Sequence, residues 1–216
     1  MKRIVLVNPN TSVASTALML AVAREHLATG CSLEGATAPS GPALIVNPEQ
    51  LRTARDVVAG MAISLTQHAD GVIVSGFGDP GVEELNKNLS VPVIGIAEAA
   101  MHEAASDGGS FSVVTTTPAL LFAISAFAVK LGLGCQLASV HTTKGAPEDV
   151  MSDSELLVDE LERIARIAII EHGAETIIVG GGPLAAAART LRERLSVRVV
   201  EPIPAAMRRM TAVLLQ

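Results

Sequence analysis

Residues able to do binding or acid–base chemistry gather at a few turns, each of which follows an apolar run. Asn8 closes Ile4-Val5-Leu6-Val7 and opens Asn8-Pro9-Asn10-Thr11-Ser12. Ser75 closes Gly71-Val72-Ile73-Val74 and opens Ser75-Gly76-Phe77-Gly78-Asp79-Pro80-Gly81. Thr115 and Thr116 follow Phe111-Ser112-Val113-Val114, and Gly180-Gly181-Gly182-Pro183 follows Thr176-Ile177-Ile178-Val179. Amides and hydroxyls of this kind hydrogen-bond a ureido ring or a carboxylate. Bare glycine N–H groups at the start of a helix suit an anion. Asn and Thr also serve turns and caps, and Gly is common where a strand turns into a helix, so a structural use competes at every one of these positions.

Ser75 becomes a nucleophile only beside a base. The histidines are His26, His68, His102, His141 and His172, none near it in sequence, and all but His141 fall in or directly after expected helices. Asp79 before Pro80, and Glu98 after the fourth strand, suit helix caps at the positive end of the dipole. Glu201 holds a similar place in the second half. A carboxylate acting as base is the competing reading. The run Gly180-Gly181-Gly182 is neither a dinucleotide fingerprint nor a phosphate loop, since no Lys-Ser or Lys-Thr follows.

The elements that must hold these turns repeat. Ala69-Asp70-Gly71-Val72-Ile73-Val74 is echoed by Ala174-Glu175-Thr176-Ile177-Ile178-Val179, 105 positions later. Leu89-Ser90-Val91-Pro92-Val93 matches Leu195-Ser196-Val197-Arg198-Val199, Ala99-Ala100-Met101 matches Ala205-Ala206-Met207, and Val7-Asn8 matches Val114-Thr115. Strands are expected over 3–7, 33–37, 71–75, 91–94, 111–115, 136–140, 176–179 and 197–200. Helices are expected over 12–28, 48–67, 81–89, 97–105, 118–131, 153–171, 183–195 and 204–215. Alternating strands and helices predict α/β units with parallel sheets. A two-fold repeat predicts two pseudo-symmetric flavodoxin-like lobes, one of residues 1–97 with the C-terminal helix 204–216, the other of residues 98–203. Ligands of open α/β sheets sit beyond the carboxyl ends of the strands, so an active-site cleft between the lobes is expected.

Composition narrows the partners. The chain has 216 residues, 49% of them hydrophobic and 18% charged, which supports a large core; with no Trp or Tyr and four Phe, that core must be aliphatic. The formal charge is −6 and no basic cluster stands out, so neither nucleic acid nor an anionic membrane is expected as a partner. The run Ile4-Val5-Leu6-Val7 is too short for a signal peptide, and nothing approaches a membrane span. Cys31 and Cys135 do not form a metal-type pair and read as reduced thiols of a cytoplasmic protein, although spacing alone leaves a bond between them open.

Asn8-Pro9-Asn10-Thr11-Ser12, Gly76-Phe77-Gly78-Asp79-Pro80-Gly81, Pro92-Val93-Ile94-Gly95-Ile96-Ala97-Glu98-Ala99 and Val114-Thr115-Thr116 resemble the aspartate/glutamate/hydantoin racemase superfamily, and most of all its hydantoin and allantoin racemases. The resemblance spans nearly the whole chain. It implies a cofactor-independent, metal-free enzyme, a homo-oligomer, that acts at a carbon α to a carbonyl in a hydantoin, ureido or amino-acid-like compound. It implies two catalytic cysteines, one at each strand tip, which remove a proton from one face and return one to the other. Here the matching positions are Gly76 and Gly181. Glycine has no ionisable atom, and a general acid or base contributes about 10²- to 10⁴-fold, so two-base racemisation is expected to be disabled. Restoring both thiols is then expected to raise α-proton exchange more than restoring either. The same resemblance implies substrate contacts at Asn8, Ser75, Phe77, Thr115, Thr116, Gly180 and Gly182. It also brings Ser40-Gly41-Pro42-Ala43 to the substrate's border, where Leu44 replaces a serine usual in the hydantoin branch and implies a more apolar pocket. The alternatives are a different carbanion chemistry (a lyase or decarboxylase) and a non-catalytic small-molecule binder.

Overall fold

The computed structural model describes residues 1–66 and 69–215. Gln67, His68 and Gln216 lie outside the described residues, so the end of the helix expected over 48–67 does too. The chain divides into two compact units. One comprises Met1–Ile45, Glu49–Ala99 and Ile203–Gln216, the other Val46–Pro48 and Ala100–Pro202.

The first unit runs β1 (Lys2–Asn8), α1 (Val13–Arg24), β2 (Cys31–Thr37), α2 (Pro48–Gly60), α3 (Ala62–Thr66), β3 (Gly71–Val74), α4 (Val82–Asn88), β4 (Val93–Gly95) and the start of α5 (Ile96–Ala104), and ends with α10 (Pro202–Leu214). Its sheet is parallel, in the order β2-β1-β3-β4. Ile4, Leu6, Val72, Ile73 and Val74 are fully buried, as befits central strands covered by helices on both faces. The edge strand β2 is mostly half-buried or exposed. One face packs Val5, Val7, Val72 and Val74 on Val58, Leu65, Val82 and Leu85. On α10, Met210 approaches β3 so closely that a Cβ on Gly71 would lie 2.5 Å from its Sδ.

The second unit continues with β5 (Phe111–Thr115), a 3₁₀ turn (Pro118–Leu120), α6 (Leu121–Lys130), β6 (Leu137–Thr142), α7 (Pro147–Ser152), α8 (Ser154–His172), β7 (Thr176–Val179), a second 3₁₀ turn (Gly182–Leu184), α9 (Ala185–Arg194) and β8 (Arg198–Val200). Its parallel order, β6-β5-β7-β8, repeats that of the first sheet four strands on. Val114, Ile177 and Val179 pack on Leu157, Leu161 and Ile164 of α8 and on Ala188 and Leu191 of α9. The fold is therefore two lobes of α/β type, each a flavodoxin-like sheet of four parallel strands.

Several boundaries differ from expectation for local reasons. The helix expected over 12–28 ends at Arg24, where the N–H groups of Glu25, His26 and Leu27 turn to carbonyls three residues back. The helix expected over 48–67 breaks after Gly60, a poor interior residue. The helices expected from 118 and 183 begin as 3₁₀ turns. Helix α7 was not expected, since Pro147-Glu148-Asp149-Val150-Met151-Ser152 carries a single deeply buried residue, Val150. Ser12 caps α1 by accepting from the Ser15 N–H at 3.1 Å, and Asp153 caps α8 through the Glu155 and Leu156 N–H groups.

Candidate functional site

In the first lobe β1 and β3 end side by side, held by the Ser75 N–H donating to the Val7 carbonyl at 2.8 Å. Asn8 is fully buried and its side chain is turned inward. Its Nδ2 donates to Asn10 Oδ1, the Ser12 carbonyl and Thr16 Oγ1 at 2.9–3.0 Å, and its Oδ1 accepts from the Asn10 N–H at 3.1 Å. Asn8 therefore builds the Asn8–Ser12 turn, and its amide is fully engaged there. The turn is tied to the Ser40–Leu44 loop by the Thr11 N–H, which donates to the Pro42 carbonyl.

Ser75 is 3% exposed and its hydroxyl donates to the Val7 carbonyl at 2.9 Å. Among the described residues no imidazole is bonded to it, so the nucleophilic reading has no base. Gly76, Phe77 and Gly78 are half-buried. Their turn is closed by the Asp79 N–H donating to the Gly76 carbonyl at 2.9 Å. The N–H groups of Gly76, Phe77 and Gly78 meet no acceptor among the described residues. A Cβ on Gly76 would lie 2.5 Å from Pro9 Cγ and 3.2 Å from Pro80 Cδ. Two proline rings thus border the space a side chain would need.

Asp79 does cap a helix, but not the one that follows it. Gly81, in the left-handed region, begins α4. Asp79 itself has φ +52, a conformation Asp tolerates better than most residues. Its carboxylate reaches α5, accepting from the Ala97 N–H at 2.8 Å and the Glu98 N–H at 2.7 Å. Gly95 leaves it room, because a Cβ there would run into the carboxyl group. Burial pushes the Asp79 carboxyl up to about 7, against the pull of those two N–H bonds. Glu98 pairs with Arg209 at 2.7 Å, and the buried Glu201 pairs with Arg192 at 3.0 Å. All three candidate carboxylates are thus committed to helix or ion-pair contacts.

In the second lobe Thr115, Thr116 and Gly180 come together. The Gly180 N–H donates to the Val114 carbonyl at 2.8 Å, and both threonines are 2% exposed. Thr115 Oγ1 lies 3.2 Å from Thr117 Oγ1, and Thr116 Oγ1 reaches only the Met151 sulfur, at 3.7 Å. Gly181 has φ +156 and ψ 131, a backbone that only glycine adopts readily. A Cβ there would meet Leu184 Cδ1 and Cγ at 3.1 Å. The N–H groups of Gly181 and Gly182 meet no acceptor among the described residues. Sequence reasoning missed Thr143, which stands beside Thr115 through its N–H bond to that carbonyl at 3.0 Å. It is 4% exposed and its hydroxyl has no partner.

Other expected chemistry is scattered. Cys31 is buried, Cys135 is exposed, and both are free thiols. His141 on β6 packs on His172 of α8 with ring centroids 5.0 Å apart. Among the described residues, no three His, Cys, Asp or Glu side chains are placed to hold a metal ion, and no helix is long and apolar enough to cross a membrane.

Comparison with known proteins gives the family. A family model described as Asp/Glu/Hydantoin racemase matches residues 4–210. The hydantoin racemase of Paenarthrobacter aurescens is 29% identical over 208 residues, covering 95% of this chain and 88% of that protein. The solved allantoin racemase of Klebsiella pneumoniae superposes with a TM-score of 0.93 at 30% identity, covering 100% of this chain and 88% of that one. The allantoin racemase of Pseudomonas fluorescens gives 0.93 at 31% identity, covering 98% and 90%. The chain belongs to the Asp/Glu/hydantoin racemase family, within its hydantoin and allantoin racemase type.

Proposed function

We propose that this chain binds a small carbonyl compound of hydantoin, ureido or amino-acid-like type at its strand tips, and does not racemise it by the two-thiol route. Gly76 and Gly181 take the places of the two cysteines, and Phe77, Thr115, Thr116, Gly180 and Gly182 supply the contacts. Ser75 contributes its remaining acceptor capacity. Asn8 contributes by shaping its turn.

One observation carries the reading. Among the described residues, the N–H groups of Gly76, Phe77 and Gly78, and those of Gly181 and Gly182, are unbonded, neither glycine at positions 76 and 181 carries an ionisable group, and the one carboxyl of these turns, Asp79, is committed to the Ala97 and Glu98 N–H groups. Successive unbonded N–H groups in a turn bind carbonyl or carboxylate oxygen. They stabilise charge that develops on an enolate but transfer no proton themselves. The two glycines also suit their surroundings. Residue 181 has a glycine backbone and residue 76 faces Pro9, so the chain reads as a branch built around glycine rather than as an enzyme stripped of two thiols.

The protein works without a cofactor, in the cytoplasm and as a homo-oligomer. The free thiols of Cys31 and Cys135 fit a reducing compartment. Exposed Phe122 and Val129, 85% and 67% accessible on the apolar helix α6, fit contact with another copy.

The test uses enantiopure 5-substituted hydantoins and allantoin in D₂O. Calorimetry is expected to show binding, with no deuterium entering the α-carbon and no loss of optical rotation. Turnover near 10 per second, an ordinary enzyme rate, would show that another base has replaced the thiols and overturn the reading.

A further inference from the structure

Two buried hydroxyls at the tip of the second sheet lack a proper partner, and one short helix covers that corner. Thr116 Oγ1 has only the Met151 sulfur, at 3.7 Å. Thr143 Oγ1 has nothing, although the residue is 96% buried. Thr143 lies beside the end of β5, its N–H donating to the Thr115 carbonyl at 3.0 Å. Ser112 pairs in register with Ser139, and their hydroxyls meet at 2.8 Å, so both point to one face of the sheet. Side chains alternate along a strand, which places Val114 on that face of β5 and His141 on that face of β6; Thr116 and Thr143, one residue past the end of each strand, continue the two-residue spacing. Val114 packs in the core that holds Val150 of α7.

Helix α7 is a thin cover. It has six residues, with Val150 its deeply buried one. Gly145 precedes it in the left-handed region, φ +92, and Asp153 follows it in an extended conformation, φ −115 and ψ 110. Gly145 is free of a side chain at one end, and Asp153 at the other marks where α7 stops and α8 is separately capped by the Asp153 carboxylate. A buried hydroxyl with no hydrogen-bond partner is costly, and native folds pair such groups.

We infer that α7 is a lid, and that lifting it brings the Thr143 hydroxyl, beside that of Thr116, to the ligand as a specificity-determining contact. The inference rests on the carbonyl-ligand reading given above. Thr143 supplies a hydroxyl that donates to a ring carbonyl or accepts from a ring N–H, which suits the mixed donor–acceptor edge of a ureido or imide group. The other orphaned atom of this strand, His141 Nε2, stands two residues earlier and belongs to the contact with His172.

Thr143→Val keeps the shape and removes the hydroxyl, and Thr143→Ser keeps the hydroxyl. Affinity for allantoin and for a panel of enantiopure 5-substituted hydantoins is measured by calorimetry on wild type and both variants, with melting temperatures alongside. The expected result is binding weakened by about tenfold in Thr143→Val, the size of one hydrogen bond. Thr143→Ser should stay near wild type, and Thr143→Val should melt no lower than wild type. Equal binding by wild type and Thr143→Val overturns the inference, because a buried orphan with only a structural role affects melting and not affinity. If wild type binds none of the probes, the carbonyl-ligand reading fails. Hydrogen exchange on the ligand-free chain then decides the lid. Amides of Val150 and Met151 that exchange far faster than those in the middle of α8 uphold it, and equal protection overturns it.

Discussion

The Pro9 ring occupies the approach to residue 76, with its Cγ 2.5 Å from where a Cβ on Gly76 would sit. That distance changes what restoring the first thiol involves. A cysteine at 76 must displace Pro9, whose ring has little freedom, or shift the Asn8–Ser12 turn and the buried amide network that holds it. Overpacking of this kind costs on the order of 1–3 kcal/mol. Gly76→Cys is therefore expected to lower the urea midpoint with an unchanged slope, and adding Pro9→Ala to recover part of the loss. No loss in the single variant would show that the ring yields freely.

The second thiol meets a backbone obstacle. Gly181 sits at φ +156, and its Cβ would also press on Leu184 at 3.1 Å. Forcing another residue into such a conformation costs about 1–3 kcal/mol. Gly181→Ala is expected to be destabilised by that amount, and Gly181→Cys similarly, both read by denaturant unfolding. Gly76→Cys with Gly181→Cys is thus expected to lose stability before it gains α-proton exchange. A double variant as stable as wild type, with brisk deuterium uptake, would mean that both tips accept a thiol without rebuilding.

Asp79 ties the Gly76 turn to α5, and its protonation should be visible in stability. Its folded carboxyl titrates near 7, raised by burial from an ordinary 3.8. The folded chain holds this proton where the unfolded chain has released it. The contribution is therefore fully present below about 3.8 and is lost as pH rises through about 7. Asp79→Asn removes the titration and, like the protonated acid, offers one good acceptor. Wild type is expected to lose stability relative to Asp79→Asn between pH 4 and 7. A constant difference across that window would show that the two N–H bonds keep Asp79 ionised throughout.

Much of the fold was legible because central parallel strands are buried on both faces. Gly71–Val74 and Thr176–Val179 are continuous apolar runs bounded by turns, and the repeat between them fixed which strands correspond. The site was harder to read for identifiable reasons. Asn8 sits at a strand tip as expected, but whether its amide faces ligand or turn depends on Asn10, Ser12 and Thr16 closing around it. Asp79 was legible as a cap, but its target lies 18 residues on rather than in the next helix. Thr143 carries no motif. Its importance comes from burial without a partner, which a sequence does not display. Helix α7 is too short to show a period.

His141 gives the last prediction, of opposite sign to that of Asp79. Burial holds its imidazole below the usual 6.5, the neighbouring His172 lowers it further, and Glu171 raises it in part. The unfolded chain therefore takes up a proton first as pH falls. Stability from this site is present above about 6.5 and is lost on acidification toward the lower folded value. His141→Phe keeps a ring against His172, removes the titration and removes the orphaned Nε2. Melting curves between pH 7.5 and 5 are expected to fall more steeply for wild type than for His141→Phe. Since Asp79 acts in the opposite direction over the same acid range, the cleanest measurement is made in the Asp79→Asn background, where the histidine effect stands alone. Parallel curves there would show that His141 takes up its proton as readily folded as unfolded, and that the contact with His172 opens to admit it.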